Sequence, residues 1–436
     1  MHIYFSGIGG AGLGPLALIA HQAGFTVSGS DQRHSSYIDY LQEHGVTNVH
    51  IGQNYDEIAA VHAREPIDWF VYTSALPMEH PDAPELKFCV DQHIKHSKRD
   101  AFLSFLLEQK RLKLLAVAGT HGKTTTTAML IWLLKQLGVP VSYSVGGKLS
   151  FGDMGEFEPA SEYFVYEADE FDRNFLAFHP YVALITGVAW DHPDIYPTQE
   201  AYNDAFRQFL AQSERRIMWR ADQRRLGLAD SPETTVLDET APAVGAQVTL
   251  PGHVNRLDAW QVAHLVQQLT GTPLEMLVPH LNAFPGVSRR FEQLAPHLYS
   301  DYAHTPEKIQ GALQLAHEVA GNNVVVIYEG LHNTRQHFIK DQLAHLFDSV
   351  KRLYIVPSYL AREDPNLPLL TPTDLRRLLS AGTQAKAEAA ALGDQLAASI
   401  KQHIDQGDLV LALSAGGGGS LDEWLRKTFT PLPAKS

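Results

Sequence analysis

The stretch GTHGKTTTT at residues 119–127 sets glycines, one lysine and consecutive threonines in the order that a phosphate-gripping loop requires. Gly119 and Gly122 free the backbone to wrap phosphate oxygens, Lys123 can neutralise the β and γ groups of a triphosphate, and Thr124 offers a hydroxyl to Mg2+. Thr120, His121 and Thr125 complete the candidate phosphate contacts. Val117 holds the place of the first glycine of the G-x-x-x-x-G-K-[ST] pattern, so a shorter loop is expected. Two acidic runs follow, EADEFD at 167–172 and DHPD at 191–194. Carboxylates beside a triphosphate repel it unless a cation lies between them, so Glu167 and His192 are expected to hold a second Mg2+. Asp169, Glu170 and Asp172 have a plainer reading as caps of the following helix, and His192, before Pro193, as a turn residue. Asp172 and Asp194 are assigned to that plainer kind of role.

Three further groups of residues could do chemistry. Gly7, Gly9 and Gly12 form G-x-G-x-x-G after the first strand, and Asp31 closes the second strand at the spacing of a dinucleotide fingerprint. Small residues there, Gly10 among them, let backbone amides approach a diphosphate, and the acid can accept from a ribose hydroxyl or a base. Alone, the motif fits NAD, another diphosphate or a bare glycine turn. Arg289 and Arg290 stand where a second domain gives way to a third; Arg290 is the candidate for phosphate oxygens, and Arg289 is read as a solvated surface residue. Tyr302 and His304 in SDYAHTP, and His332, Asn333 and Arg335 in LHNTR, follow strands of the last third, and the planar fork of Arg335 suits a carboxylate.

Such residues need strand ends to stand on, and the chain supplies them. HIYFSG, FTVSGSD and IDWFVYTSA alternate with amphipathic stretches, the rhythm of βαβ units and a parallel sheet. After a charged helical stretch, LKLLAVAG reads as a buried strand entering the phosphate loop and the helix TTTTAMLIWLLKQLG. YFVYEAD and YVALITGV are further strands with polar residues at their carboxyl ends, where open α/β sheets bind ligands. HLYSDYA, NNVVVIYEG, KRLYIVPS and DLVLALSAGGGGS begin a third pattern, in which AKAEAAALGDQLAASI has ordinary helix composition and the tail TPLPAKS is expected to fray. The expected fold is therefore α/β with three domains, at residues 1–108, 109–285 and 286–436.

Composition narrows the class. With 35 Lys and Arg against 49 Asp and Glu, the formal charge of −14 argues against broad adhesion to nucleic acid or anionic lipid. Cys89 has no second cysteine to pair with, which excludes an intramolecular disulfide and fits a reducing compartment. Neither the start MHIYFSGIGG nor any apolar run reads as a secretory signal or a membrane span, so a cytoplasmic protein is expected.

Taken together, GIGGAG, GTHGKTTTT, EADEFD, DHPDIY, PGHVNRLDA, RRFE, DYAHTP and AGGGG resemble the Mur ligases, ATP-dependent amide-forming enzymes of peptidoglycan precursor synthesis, over essentially the whole chain. The resemblance implies a Rossmann-like N-terminal domain that binds a UDP-linked sugar, a central P-loop-type ATPase domain, and a Rossmann-like C-terminal domain that closes over ATP and receives the amino acid. It implies Gly7, Gly9, Gly10, Asp31 and Ser74 as UDP-substrate contacts, which takes the first glycine motif away from NAD. It places ATP on Gly119 to Thr125, Asn255, Asp258 and Arg290, and metal on Thr124, Glu167 and His192. Tyr302 and Arg335 then engage the amino acid, and Lys123, Glu167, His192 and Arg290 form the catalytic set.

The activity so implied joins L-alanine to the lactyl carboxylate of UDP-N-acetylmuramate through an acyl phosphate, with ATP and Mg2+. Alternatives are a murein tripeptide as acceptor, echoed by Glu329, Asn333 and Thr334, or a nucleotide-binding regulator without ligase activity. Departures from the family pattern keep the alternatives open: Val254 for a histidine, Asp258 for an asparagine, Gly187 for an asparagine, and a short stretch between Trp219 and Leu250. No lysine occurs from Pro193 to Ser213, where sister ligases carry a carbamylated one, so no carbamate is expected. Oligomeric state is not readable from the sequence.

Overall fold

The computed structural model describes residues 1–73, 76, 82–191, 195–241, 247–360 and 363–429. Ser74, His192, Asp194 and the tail TPLPAKS lie outside the described residues. The chain divides into two compact units, one of Met1–Thr249 with Asn255–Pro285 and one of Leu250–Val254 with Gly286–Ser436.

Unit 1 holds two sheets. The first has the order β3-β2-β1-β4-β5, built from β1 (His2–Ser6), β2 (Thr26–Asp31), β3 (Val49–Ile51), β4 (Trp69–Tyr72) and β5 (Lys95–Lys98), all parallel. Strand order reverses between β1 and β4, and ligands of open parallel sheets bind beyond the carboxyl ends at such a switch. The glycine motif and residue 99 follow strands at that edge, and Asp31 ends one.

The second sheet has the order β12-β11-β10-β6-β9-β7-β8: β6 (Lys113–Ala118), β7 (Val141–Ser144), β8 (Gly155–Glu156), β9 (Tyr163–Glu167), β10 (Val182–Ile185), β11 (Arg215–Trp219) and β12 (Thr234–Leu237). Only β7 and β8 pair antiparallel among them. LKLLAVA is apolar nearly throughout because β6 is covered on both faces. The helix Arg99–Lys110 joins the two sheets: its Phe102, Leu103, Leu106 and Leu107 lie in one apolar core with Phe5 and Trp69 of the first sheet and Ala116 and Phe164 of the second. Burial of that shared surface, at about 25 cal/mol per Å² of apolar area, fixes the two sheets against each other.

Unit 2 is one six-stranded sheet in the order β13-β14-β18-β15-β16-β17: β13 (Glu292–Ala295), β14 (Leu298–Asp301), β15 (Val324–Leu331), β16 (Arg352–Tyr359), β17 (Ala387–Ala389) and β18 (Leu409–Leu413). Only the β13–β14 pair in it is antiparallel, and an apolar layer covers each face. One expectation fails here. The alanine-rich stretch AKAEAAALGDQLAASI is not one helix: Ala387–Ala389 pairs with β16 as an edge strand between the helices Ala381–Lys386 and Asp394–Asp405. Helix propensity amounts to a few tenths of a kcal/mol per residue, and sheet pairing overrides it over so short a run. No helix among the described residues is long and apolar enough to cross a membrane.

Candidate active site

The phosphate loop begins where β6 ends. β6 runs through Val117, which is fully buried in the ladder, so the turn starts only at Gly119 and the loop is short. Gly119 has φ +144°, and a Cβ there would meet Thr186 Oγ1 at 2.3 Å and the Gly187 carbonyl oxygen at 2.9 Å, so no other residue fits. Thr120 is fastened within the protein: its Oγ1 donates to the Ala189 carbonyl (2.7 Å) and lies 2.8 Å from the Tyr202 hydroxyl. Thr186 Oγ1 donates to the His121 carbonyl. Gly122, at φ +79°, hands the chain to the helix Lys123–Gln136, whose positive end faces the loop.

Lys123 and Thr124 open that helix, and both point to the acidic run after β9. Lys123 Nζ donates to the Gly119 carbonyl (2.6 Å) and to Glu170 Oε2 (2.7 Å). Burial works against the ammonium charge, but the facing carboxylates of Glu170, Asp169 and Glu167 outweigh it and hold Lys123 above the ordinary lysine value. Thr124 Oγ1 donates to Glu167 Oε1 (2.9 Å), while Glu167 Oε2 accepts from the Gly146 amide (2.8 Å). A hydroxyl and a carboxylate converging beside a phosphate loop are the hard oxygen donors that Mg2+ takes, the remaining positions being filled by phosphates and water. The described residues contain no group of three or more His, Cys, Asp or Glu arranged for a metal. His192 lies outside them.

The capping reading of the acidic run needs correction. Glu170 caps nothing with its side chain; it is completely buried as the partner of Lys123, with Tyr202 Oη 3.4 Å from its other oxygen. The residue types alone gave no sign of this, because Glu170 is set opposite Lys123 by the turn after β9. Asp172 forms an ion pair with Lys98 (2.5 Å), and Asp169 alone keeps a local turn role, accepting from the Phe171 amide (3.3 Å).

Asp258 and Asn255 sit on the helix His253–Thr270. Asn255 is half-buried, whereas Asp258 is 1% exposed and packs under the loop, where a Cβ on Gly122 would meet its Oδ2 at 2.8 Å. Burial pushes its carboxyl well above the usual range, with the nearby Thr126 hydroxyl acting the other way. In the glycine motif, Asp31 Oδ2 accepts from the Gly9 amide (2.9 Å) and Oδ1 from the Arg33 amide (3.3 Å), so the acid first shapes its own loop. Gly10 donates to the Gly7 carbonyl (3.1 Å).

In unit 2, Arg289 is not a solvated surface residue. Its Nη2 donates to the carbonyls of Ser414 and Gly416, both at 2.9 Å, because the glycine-rich turn after β18 exposes acceptors with no strand partner. The guanidinium groups of Arg289 and Arg290 lie 4.8 and 5.2 Å from the Tyr302 ring. His304 is pushed down to about 3 by burial and by Lys308, with Arg335 and Arg290 adding to it against a hydrogen bond to the Tyr302 carbonyl. Lys308, Arg335 and Arg290 thus bring positive charge to bear on His304, whose ring meets that of Tyr302 edge-on. Arg335 is half-buried, and its guanidinium makes no hydrogen bond or ion pair to another described residue.

A phosphate loop backed by an acidic strand end, in a unit that also carries a switch-point sheet, marks a nucleotide-dependent enzyme, and the chain belongs to the Mur ligase family. Residues 2–111 match the family's "Mur ligase family, catalytic domain", 117–238 its "Mur ligase middle domain" and 289–416 its "Mur ligase, glutamate ligase domain". A Nocardioides relative named UDP-N-acetylmuramate–L-alanine ligase is 32% identical over 95% of this chain and 93% of its own. Among solved structures, the UDP-N-acetylmuramate–alanine ligase of Thermotoga maritima shares the fold at TM-score 0.74 and 24% identity, over 98% of each chain. A murein peptide ligase from Psychrobacter arcticus does so at 0.64 and 23%, over 96% of each.

Proposed function

We propose that this chain joins L-alanine to the lactyl carboxylate of UDP-N-acetylmuramate with hydrolysis of ATP to ADP and phosphate, and that it does so in the cytoplasm. The observation that carries the reading is the convergence of Lys123, Thr124 and Glu167 at the carboxyl ends of β6 and β9. A carboxylate resists attack by an amine. Its oxygen first forms a bond to the γ-phosphorus as the bond to ADP breaks; the amine then attacks the acyl carbon, loses a proton, and phosphate departs with the acyl C–O electrons. Lys123 opposes the charge on the transferring phosphoryl group, and Arg290 is the residue proposed for the same task. Mg2+, when bound, would supply further charge neutralisation, held by Thr124, Glu167 and the expected His192.

The residues that echo a tripeptide ligase are committed within unit 2. Glu329 accepts from Ser414 Oγ (2.6 Å) and the Leu421 amide (2.8 Å), Asn333 bonds Pro368 and Leu370, and Thr334 bonds Glu363. Arg335 remains for the acceptor's carboxylate, which supports a small amino acid. The test is phosphate release with and without UDP-N-acetylmuramate, across a panel of amino acids and peptides read by mass spectrometry. Amide product with L-alanine is expected; product only with peptides would replace this reading, and nucleotide binding without turnover would leave a regulator.

A further inference from the structure

The glycine motif has fewer free donors than its sequence suggests. The amides of Gly7 and Ile8 donate to the Ser30 carbonyl (2.8 and 2.9 Å), Gly9 to Asp31, Gly10 to Gly7, and Leu13 and Gly14 to Gly10 (3.2 and 2.8 Å). Across residues 7–14 that leaves the amides of Ala11 and Gly12. Two amides are a sparse cradle for a diphosphate, which needs a cation as well.

Among the described residues, Arg99 stands there as a cation. β5 runs parallel to β4 and ends at the same sheet edge as the motif, and Arg99 is the next residue. Its Nη1 lies 2.6 Å from the position a Cβ on Gly12 would take, so glycine at 12 is what lets the guanidinium in. Lys98 is already tied to Asp172, whereas Arg99 has one ionic neighbour, Asp100 Oδ1, 3.4 Å from Nε, and its terminal nitrogens donate to no described residue. The side chain is three-quarters covered, with 24% exposure, which strengthens its pull on an anion relative to a surface arginine. Tyr166, then Asp100 and Asp169, act on it electrostatically and outweigh the opposing effect of burial, holding it above the ordinary arginine value.

We propose that Arg99 is the cationic partner of the substrate's diphosphate, bridging from the Gly12 side of the loop. This rests on the UDP-sugar reading above. Calorimetry on the full-length protein tests it with UDP and UDP-N-acetylmuramate as probes. Arg99→Met should weaken both by the same factor, about 10- to 100-fold for a lost charge-assisted contact, leave ATP affinity unchanged and flatten the salt dependence. Arg99→Lys should recover part of the loss. Unchanged UDP affinity with weaker UDP-N-acetylmuramate would overturn the proposal in favour of a contact to the carboxylate, and parallel loss of UDP and ATP with a lowered Tm would reduce Arg99 to a structural role. If Arg99→Met does not fold, Gly12→Ala, which displaces the guanidinium tip, should weaken UDP binding at unchanged Tm; wild-type affinity there would equally overturn it. A wild-type protein that binds no UDP ligand would sink the functional reading itself.

Discussion

Lys123 Nζ lies 2.7 Å from Glu170 Oε2, so the lysine expected to grip phosphate is held by a carboxylate that is itself completely buried. A lysine aimed this way is preorganised: its four-carbon stem is already ordered, and the incoming γ-phosphate competes with Glu170 for an ammonium whose charge the fold secures.

Removing either partner should therefore act on stability and catalysis in different proportions. Lys123→Met is expected to abolish ATP-dependent phosphate release and, by stranding Glu170, to cost on the order of 3 kcal/mol of stability. Glu170→Gln should keep measurable turnover while weakening orientation of the ammonium. The double variant should regain stability relative to Lys123→Met alone without regaining activity. A thermal-melt cycle showing additive losses would mean the pair does not act as a unit.

The proposal that Thr124 and Glu167 hold Mg2+ has its own test. Glu167→Gln and Thr124→Ala should each shift the Mg2+ titration of phosphate release to higher concentration and lower the plateau, because the first removes the carboxylate charge and the second a hydroxyl donor at the loop. Chelation with EDTA should stop turnover in the wild-type protein and restore it on adding Mg2+. Variants with an unaltered Mg2+ titration would move the metal elsewhere.

The three α/β patterns and the strand-end placement of Lys123, Glu167, Tyr302 and Arg335 were legible because periodicity and turn residues are local signals. Glu170 and Arg289 were not. Each is defined by a partner distant in sequence, Lys123 and the Ser414–Gly416 turn, which no spacing rule connects to it. β17 was missed for a related reason, since an alanine-rich run becomes a strand only because the edge of β16 stands beside it.

Arg335 separates the two acceptor readings. Arg335→Met should raise the KM for L-alanine about 10- to 100-fold, as expected for a lost charge-assisted contact, with a smaller change in kcat and none in the KM for ATP. Steady-state kinetics with each substrate varied in turn measures this. An unchanged KM for L-alanine would shift the acceptor toward a peptide whose carboxylates are read by other groups.

Asp258 stands where the family pattern has asparagine, and its surroundings treat it as a neutral group. It is 1% exposed beneath Gly122, and burial holds its carboxyl protonated well beyond the usual range. The unfolded chain releases that proton near the ordinary value of about 3.9. A folded value above the unfolded one makes the stability contribution fully present below about 3.9 and lost as pH rises toward the folded value. Asp258→Asn places a neutral amide of nearly the same shape there, so the variant should melt at a higher temperature than wild type at neutral and alkaline pH, the difference shrinking as pH falls toward 4. ATP affinity should hold or improve, since the brace under the phosphate loop no longer risks ionising. Melting curves for both proteins across that pH range give the answer; a parallel pH dependence, or an asparagine variant less stable throughout, would mean that Asp258 is ionised in the fold and paired with a charge.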